Sequence, residues 1–333
     1  MTTRRLLLGL GALHGLGLGS QFLASPALAQ SAAPAPTPAM PAAGKRPWAA
    51  QVPTLRIGIL GGENEADRLG RYDGYRKLME ETFGVPVRLF QAADYAGVGQ
   101  AFAAKQIEVA TMAPAAYAGV WMDTNGGIEP ILVTQEADGS TSYIAAMYVR
   151  ADSGITDIQG LRGKAMAWAD PNSASGYLIP RAELRSAGLD PEPGRFFART
   201  GFAGGHEQAV ISVLQKQYDA GVAWVSGIGD PAQGFSRGVL RSMVDKRMID
   251  MKDLRIIWRS RPIQNGPIAV RTDLPAAFKQ DMIDFHMALP KAHPDIHRAI
   301  ERGNAIGWLP TKHEDYAVFV DMRRAEAAAR RAR

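Results

Sequence analysis

The sequence contains no cysteine among its 333 residues. This absence excludes disulfide bonds, thiolate metal ligands and cysteine nucleophiles together. An excess of charge is lacking as well, since the formal net charge is only +5 and nucleic-acid binding needs a clustered basic face. The local cluster "RRAEAAARRAR" at residues 323–333 has the pattern of a solvated terminal helix. We therefore expect no nucleic-acid partner.

Residues 1–29 have the composition of an export signal. Arg4 and Arg5 precede a Leu- and Gly-rich segment, and small residues stand at Ala27 and Ala29, which predicts a signal peptide cleaved after Ala29. The paired arginines are typical of the twin-arginine route. The apolar segment is interrupted by His14 and by glycines, and it falls short of the roughly 20 residues that span a bilayer. We expect a periplasmic protein without a permanent anchor.

The rest of the chain alternates between short apolar segments and helical patterns. Residues 30–53 are rich in alanine and proline, which predicts a linker. From residue 54 strands are predicted in "TLRIGIL", "VPVRLFQA", "IEVATMA", "EPILVTQ" and "SYIAAMYVR", with helices between the first three. A second series runs through "GKAMAWADP", "RFFART", "EQAVISVLQKQ" and "YDAGVAWVS". Such alternation is typical of α/β folds with parallel strands and helical crossovers.

The two series predict two α/β lobes. We assign residues 54–145 and 260–333 to lobe 1 and residues 146–259 to lobe 2, so that the chain crosses between the lobes twice. A cleft between lobes is a favoured place for a small ligand. Ligands also gather at the carboxyl ends of strands, beside helix N-termini.

The segment "ADPNSASGYLIP" joins a predicted strand to a predicted helix. A serine stands at the helix N-cap, where free backbone N–H groups and the positive end of the helix dipole suit a small oxyanion. The hydroxyls add donors, and the glycine allows close approach to the backbone. The same residues also fit an ordinary serine cap after an Asp-Pro turn. The candidate ligand-binding residues here are Asn172, Ser173, Ala174, Ser175 and Gly176.

A second junction of this kind lies in "VATMAPAAYAGVW", where the proline suits the first turn of a helix. Small residues would let backbone N–H groups reach an anion, and the tyrosine offers a phenol. Helix capping and core packing are the alternative interpretation. The candidates here are Met112, Pro114, Ala115, Ala116 and Tyr117.

Three further side chains are candidates from their positions at the ends of elements. His206 follows a Gly-Gly pair at the start of a predicted helix, where it either donates to an anion or caps and packs. Tyr95 begins a helix after a strand, and Trp224 lies near a strand end. Each aromatic ring either forms a wall of the cleft or packs in a lobe.

Catalytic and metal-binding patterns are scarce. The sequence contains no G-x-S-x-G, Walker or H-E-x-x-H motif. The histidines of the C-terminal region, His286, His293, His297 and His313, lack the spacing of metal ligands. We expect no metal, no cofactor and no enzymatic activity.

Five segments in this order resemble the periplasmic phosphonate- and phosphite-binding proteins of ABC transporters: "LRIGIL", "PVRLFQAADYAGVGQAFAAKQIEVATMAP", "ADPNSASGYLIP", "GGHEQAV" and "LRIIWRSRPIQNGPIAVR". The resemblance covers about residues 54–275. It implies a type II periplasmic-binding-protein fold, in which two hinge crossover strands let two lobes close over a ligand. It also implies a monomer that captures a phosphonate, phosphite or related small oxyanion and delivers it to an ABC permease.

The resemblance also implies roles for individual residues. Ser173, Ser175 and His206 would hydrogen-bond the oxyanion. Tyr95 and the loop of residues 112–117 would contact the ligand from the first lobe.

The sequence departs from the family pattern in two ways. Ala174 stands where relatives commonly have threonine, which removes one hydroxyl donor. In relatives that bind aminoalkylphosphonates, carboxylates hold the ammonium group, and the matching positions here are Ser226 and Gly266. Asp230 is the nearest acidic residue in sequence to the first of these. We therefore expect a compact or weakly polar substituent rather than 2-aminoethylphosphonate.

The sequence leaves two other functions open as alternatives. The ligand-loaded protein could contact the outer domain of a sensor kinase instead of a permease. An exported enzyme acting on a phosphate ester or similar anion is the other alternative, although no nucleophile-base pair is visible in the sequence.

Overall fold

The computed structural model describes residues 38–61 and 65–331. The predicted signal peptide lies outside the described residues. Within these residues, no helix combines the length and the apolar character that crossing a membrane requires. The strands are β1 (Leu55–Ile59), β2 (Val87–Gln91), β3 (Val109–Thr111), β4 (Ile128–Gln135), β5 (Ser142–Arg150), β6 (Ala165–Trp168), β7 (Arg199–Phe202), β8 (Ala220–Val225), β9 (Leu254–Arg259), β10 (Ile263–Gln264), β11 (Pro267–Arg271) and β12 (Gly307–Pro310). The helices are α1 (Glu65–Phe83), α2 (Tyr95–Ala103), α3 (Pro114–Asp123), α4 (Ile179–Ser186), α5 (His206–Leu214), α6 (Val239–Asp245), α7 (Ala276–Ala292), α8 (Pro294–Glu301) and α9 (Ala317–Arg331).

The strands form two sheets. The first has the order β12-β4-β11-β3-β1-β2 and the second has the order β10-β5-β8-β6-β7, with β9 paired to β5. In the first sheet β1 is parallel to β2 and β3, whereas β11 lies antiparallel between β3 and β4. In the second sheet β6 is parallel to β7 and β8, and β5 is antiparallel to β8 and β9. Each predicted strand-helix series therefore forms the parallel part of one sheet.

The chain passes between the sheets twice, from β4 to β5 and from β10 back to β11. The second passage uses the extended segment "DLRIIWRSRPIQNGPIAVRTDLP", whose three strands β9, β10 and β11 are divided between the two sheets. β11 enters the first sheet beside β3, so the returning segment lies against the β3–α3 turn. This placement brings residues from both sheets to one cavity.

Local sequence signals set where three of the helices begin or end. Asp94 caps α2, because its Oδ1 accepts a hydrogen bond from the Gly97 N–H at 2.9 Å. Pro114 is the first residue of α3, where its missing N–H leaves no helical hydrogen bond unmade. Gly84 ends α1 with a φ of +64°, in the left-handed region that favours glycine.

The folded body begins before residue 54. Trp48 lies in a short helical turn, Pro47–Ala50, and is only 2% exposed. Its ring meets Phe278 edge-on at 5.0 Å between centroids, and its Nε1 donates to Asp281 Oδ2 at 2.7 Å. The end of the Ala/Pro-rich segment therefore packs against α7, because its indole covers the apolar face of that helix.

Candidate functional site

A cavity of about 160 Å³ is lined by residues from both sheets and the helices that follow them. A cavity of this volume holds a molecule about the size of benzene. Its wall includes strand ends and helix starts, as expected for a ligand site in an α/β fold. The candidates from the sequence that lie on this wall are Tyr95, Met112, Pro114, Ser173, Ser175, His206 and Trp224.

Ser173 forms the centre of the turn between β6 and α4. Its Oγ accepts a hydrogen bond from the Gly176 N–H at 2.9 Å and so caps the following helix. The turn before it is held by Asp170, whose Oδ1 accepts from the Asn172 N–H at 2.6 Å. The Ser173 side chain therefore caps the helix and also lies on the cavity wall, so the two interpretations of this segment do not exclude each other.

The helix after Ser173 begins with a π-helical turn, Ala174–Leu178, and continues as α4. π-turns of this kind are frequent at functional sites. Gly176 is needed here for packing, because a β-carbon on it would lie 2.6 Å from the Ala169 β-carbon and 2.8 Å from Cε1 of His206. The glycine therefore brings the turn close to the imidazole rather than lying on the cavity wall itself.

His206 is the first residue of α5 and is buried. Its Nε2 lies 3.1 Å from Ser173 Oγ. Its Nδ1 is also buried and faces the Val222 carbonyl without a well-formed hydrogen bond. Burial lowers the pKa of His206 to about 4, against a smaller opposing effect of that carbonyl. The imidazole is therefore neutral at pH 7, with one ring nitrogen as donor and the other as acceptor.

Two tyrosines bring phenols to the serine turn. Tyr95 is the first residue of α2, and burial, followed by the Asp170 charge, raises the pKa of its phenol well above the ordinary value. A hydrogen bond with Ser173 opposes that rise. Tyr143 in β5 stands in the same relation to Ser175, with a pKa raised to about 12 by burial. Both phenols remain protonated at pH 7 and can donate to an oxyanion.

Six candidates from the sequence lie off the cavity wall, Gly176 among them. Ala115, Ala116 and Ala174 are buried in the apolar core. The Tyr117 hydroxyl lies 3.0 Å from His313 Nδ1, under α9. Asn172 Oδ1 accepts from Arg323 Nη2 at 2.7 Å, which ties the serine turn to α9. These residues shape the backbone around the cavity, and their side chains point elsewhere.

Ser226 and Gly266 stand at the two positions where aminoalkylphosphonate binders carry carboxylates, and the backbone or a local turn confines each of them. Gly266 lines the cavity, and a β-carbon on it would lie 1.7 Å from the Met112 carbonyl oxygen. Ser226 is buried, and its Oγ lies 3.0 Å from Ser236 Oγ in a local turn. Asp230 caps a short helical turn by accepting from the Ala232 N–H at 2.9 Å. The backbone therefore excludes any larger side chain at residue 266.

Several charged residues on the wall were not assigned to it from the sequence. Among the described residues, the charged side chains on the wall are Arg68, Arg71, Arg237, Arg302 and Glu301. Burial lowers the pKa of Arg302 to about 10, so it stays cationic at neutral pH. These residues lie on α1, before α6, and at or directly after the end of α8, and none of them belongs to the segments "ADPNSASGYLIP" and "VATMAPAAYAGVW". The spacing of Arg68 and Arg71 on one helical face was the one available signal.

Trp224 of β8 forms an aromatic part of the wall. The guanidinium carbons of Arg237 and Arg302 lie 5.2 Å and 5.0 Å from its ring centroid. Such distances are typical of cation–π contacts. Tyr143 meets the same ring edge-on at 6.2 Å.

Among the described residues, no three His, Asp or Glu side chains lie close enough together to hold a metal ion. The wall offers hydroxyl, imidazole and guanidinium donors instead. Hydroxyl and guanidinium groups are the donors that small oxyanions accept from.

Comparison with known proteins gives a consistent result. Residues 57–316 match the family described as the periplasmic substrate-binding protein of phosphonate ABC transporters. The chain is 30% identical over 228 residues to the phosphate-import protein PhnD of Mycolicibacterium smegmatis, covering 66% of this chain and 67% of the relative. It is 27% identical over 281 residues to the phosphonates-binding periplasmic protein of Escherichia coli, covering 82% and 76%.

Solved structures agree on the fold. PhnD1 of Prochlorococcus marinus, solved in complex with methylphosphonate, superposes with a TM-score of 0.70 at 16% identity, covering 83% of this chain and 98% of that protein. The likeness confirms the predicted two-lobed α/β fold of type II periplasmic binding proteins.

Proposed function

The chain belongs to the family of periplasmic substrate-binding proteins of phosphonate ABC transporters, and on that basis we propose that its cavity captures a compact phosphonate, phosphite or phosphate ion. The observation that carries the proposal is that Ser173 and Ser175, at the start of a helix, share one wall with four arginines and one glutamate among the described residues. The positive excess and the hydroxyl donors both suit an anion.

The hydrogen bond between Ser173 and His206 explains how the site can serve an anion. With the proton on Nε2, the imidazole donates to Ser173 Oγ, and the serine hydrogen is left to point at a ligand oxygen. With the proton on Nδ1, the serine donates to Nε2 and offers the ligand no hydrogen. A bound anion favours the first arrangement, because only there does Ser173 donate to it. The Val222 carbonyl near Nδ1 favours the second arrangement, so ligand binding must outweigh that contact. In this proposal His206 orients the hydroxyl that contacts the ligand.

The wall favours a compact ligand. The Gly266 backbone lies against the Met112 carbonyl, and the Trp224 ring is covered by two guanidinium groups. One relative is named for phosphate import, and one neighbour in structure holds methylphosphonate. Both ligands are small and tetrahedral at phosphorus, and neither contains a positively charged group.

We propose that the two sheets belong to two lobes that move against each other, with the passages at residues 136–141 and 265–266 as hinges. The predicted boundaries at 145/146 and 259/260 lie a few residues away, inside the second sheet, because β5 and β10 both pair there. The closed, loaded form would be the one that an ABC permease recognises. Binding closes the lobes only if the ligand has a higher affinity for the closed form. The protein would act as a monomer in the periplasm.

We propose a binding role without catalysis. The pair of Ser173 and His206 has the distance of a nucleophile and a base, but among the described residues His206 Nδ1 faces a carbonyl rather than a carboxylate. Incubation with phosphate esters should give no multiple turnover.

Isothermal calorimetry of the mature protein tests the proposed ligand. Phosphate, phosphite, methylphosphonate, 2-aminoethylphosphonate and sulfate should be titrated separately. We expect one-to-one binding of at least one compact phosphorus oxyanion and weaker binding of the aminated compound. The proposal would be contradicted if sulfate bound most tightly, or if none of the five compounds bound.

A further inference from the structure

A buried ion cluster connects the two sheets at the wall of the cavity. Arg237, which precedes α6, donates from Nε to Glu136 Oε2 at 3.1 Å and from Nη2 to Glu136 Oε1. Glu136 directly follows β4 of the first sheet. The Nη1 of Arg237 also lies 3.6 Å from Glu301 Oε2 at the end of α8. One guanidinium therefore serves two carboxylates.

All three side chains are removed from bulk solvent, because Glu136 is 0%, Arg237 6% and Glu301 8% exposed. The carboxylates have further partners, since Asn265 Nδ2 donates to Glu136 Oε1 at 3.0 Å and Thr134 Oγ1 donates to Glu301 Oε2 at 3.2 Å. The cluster is well built, yet it carries two acids for one base.

The cluster belongs to the cavity rather than to a remote core. Thr134, Arg237, Asn265 and Glu301 all line the same cavity as Ser173 and Ser175. A ligand whose oxyanion reaches the serine turn thus has its substituent in a cavity whose wall contains Arg237. Trp224, an aromatic ring on the same wall, already has guanidinium groups near it.

From this geometry we propose that Arg237 determines ligand specificity by acting as a cation built into the wall. It occupies Glu136 and Glu301, so that among the described residues of the wall an ammonium group of the ligand finds no available carboxylate and meets a like charge. A neutral or anionic substituent suffers neither penalty. The inference rests on the proposed binding of a phosphorus oxyanion and adds which substituents the site rejects.

The proposal predicts that removing the guanidinium will open the site to aminoalkylphosphonates. In Arg237→Gln, Glu136 and Glu301 lose their cation, and Glu301, which lines the cavity, becomes available to an ammonium group. We expect the affinity ratio of 2-aminoethylphosphonate to methylphosphonate, measured by calorimetry, to rise at least tenfold over the wild-type ratio. Using a ratio removes any equal effect on lobe closure, because both ligands need the same closed form.

Two control variants test whether the freed carboxylates cause the change in the affinity ratio. Arg237→Gln combined with Glu136→Gln and Glu301→Gln removes both carboxylates, and the ratio should return to within about threefold of the wild-type value. Arg241→Gln changes a partly exposed arginine on α6 that pairs with Asp245 and does not line the cavity, and the affinity ratio should not change.

Breaking a buried ion pair by removing one partner is strongly destabilising, so thermal unfolding should be recorded for each variant. If Arg237→Gln does not fold, the double variant Arg237→Gln with Glu136→Gln removes one charge of each sign and leaves Glu301 for the ammonium. Its ratio should rise at least threefold.

A folded Arg237→Gln, or the folded double variant in its place, with a ratio within twofold of wild type would overturn the role of Arg237. Failure of the wild-type protein to bind any phosphonate, phosphite or phosphate would instead overturn the proposed function. The two failures are therefore distinguishable in one set of titrations.

Discussion

Ser173 Oγ and His206 Nε2 lie 3.1 Å apart, although the two residues begin different helices 33 positions apart in sequence. The same Oγ caps its own helix through the Gly176 N–H. One hydroxyl therefore connects the serine turn, the imidazole and the cavity.

Replacing Ser173 with alanine should weaken both binding and folding. Loss of a hydrogen bond to an anion costs about 1.5–3 kcal/mol, so affinity for the best oxyanion should fall by tenfold or more. Loss of the helix cap should lower the free energy of unfolding by about 1 kcal/mol. Calorimetry and urea unfolding measure the two effects. Ser186→Ala, at the exposed end of α4, is the matched control and should leave affinity unchanged.

Replacing Tyr95 with phenylalanine should weaken oxyanion binding without a large loss of stability, because only the hydroxyl that meets Ser173 is removed. We expect a loss of affinity of about tenfold. Tyr148→Phe is the control, since the Tyr148 hydroxyl is buried and has no hydrogen-bond partner among the described residues. That change should be neutral or stabilising. Equal affinities for the Tyr95→Phe and wild-type proteins would exclude the phenol from the site.

Stability should depend on His206 in mildly acidic solution. Its pKa is about 4 when folded and about 6.5 when unfolded, so the unfolded chain takes up the proton first as the pH falls. The stabilisation is complete above pH 6.5 and is lost progressively towards pH 4, by an amount on the order of 3 kcal/mol.

The measurement is urea unfolding at pH 7 and pH 5 for wild type and His206→Gln. The variant should lose less stability than wild type over this interval. Asp170 and Glu301 act in the opposite sense, because burial raises the pKa of each carboxyl group, but they are common to both proteins. Identical losses in the two proteins would show that His206 is not buried in the neutral form.

Replacing Gly266 with alanine should disrupt the cavity. The new β-carbon would lie 1.7 Å from the Met112 carbonyl oxygen, so the β3–α3 turn must move. We expect a loss of several kcal/mol of stability and at least a tenfold loss of affinity, as for other overpacked positions. Gly70→Ala in α1 is the matched control, because nothing lies within 4 Å of its new β-carbon. That change should stabilise the helix by up to about 1 kcal/mol.

Much of the fold follows from local patterns in the sequence. The apolar segments around Ile57 and Val109, each followed by a helical pattern, predicted the parallel part of the first sheet correctly. The antiparallel insertion of β11 between β3 and β4 could be predicted only as a returning extended segment. Its position depends on pairing between residues more than 130 positions apart, which no local pattern records.

The residues of the candidate site also fall into those that local sequence patterns indicate and those that they do not. Ser173, Ser175 and His206, which line the cavity, could be selected as candidates because strand-to-helix turns carry recognisable residues. Arg237 could not, because the loop that holds it has no distinctive pattern and its partner Glu136 is 101 positions away. Tyr117 and Asn172 have suitable side chains near the right turns, but the helical direction of α3 and the contact with α9 point them away from the cavity.

A crystal structure of the mature protein with methylphosphonate tests the central claim most directly. We predict that the phosphonate oxygens lie about 2.7–3.2 Å from the hydroxyls of Ser173 and Ser175, with the methyl group in the part of the cavity walled by Trp224 and Arg237. Phosphonate density outside this cavity, or an empty cavity at saturating ligand, would contradict the account.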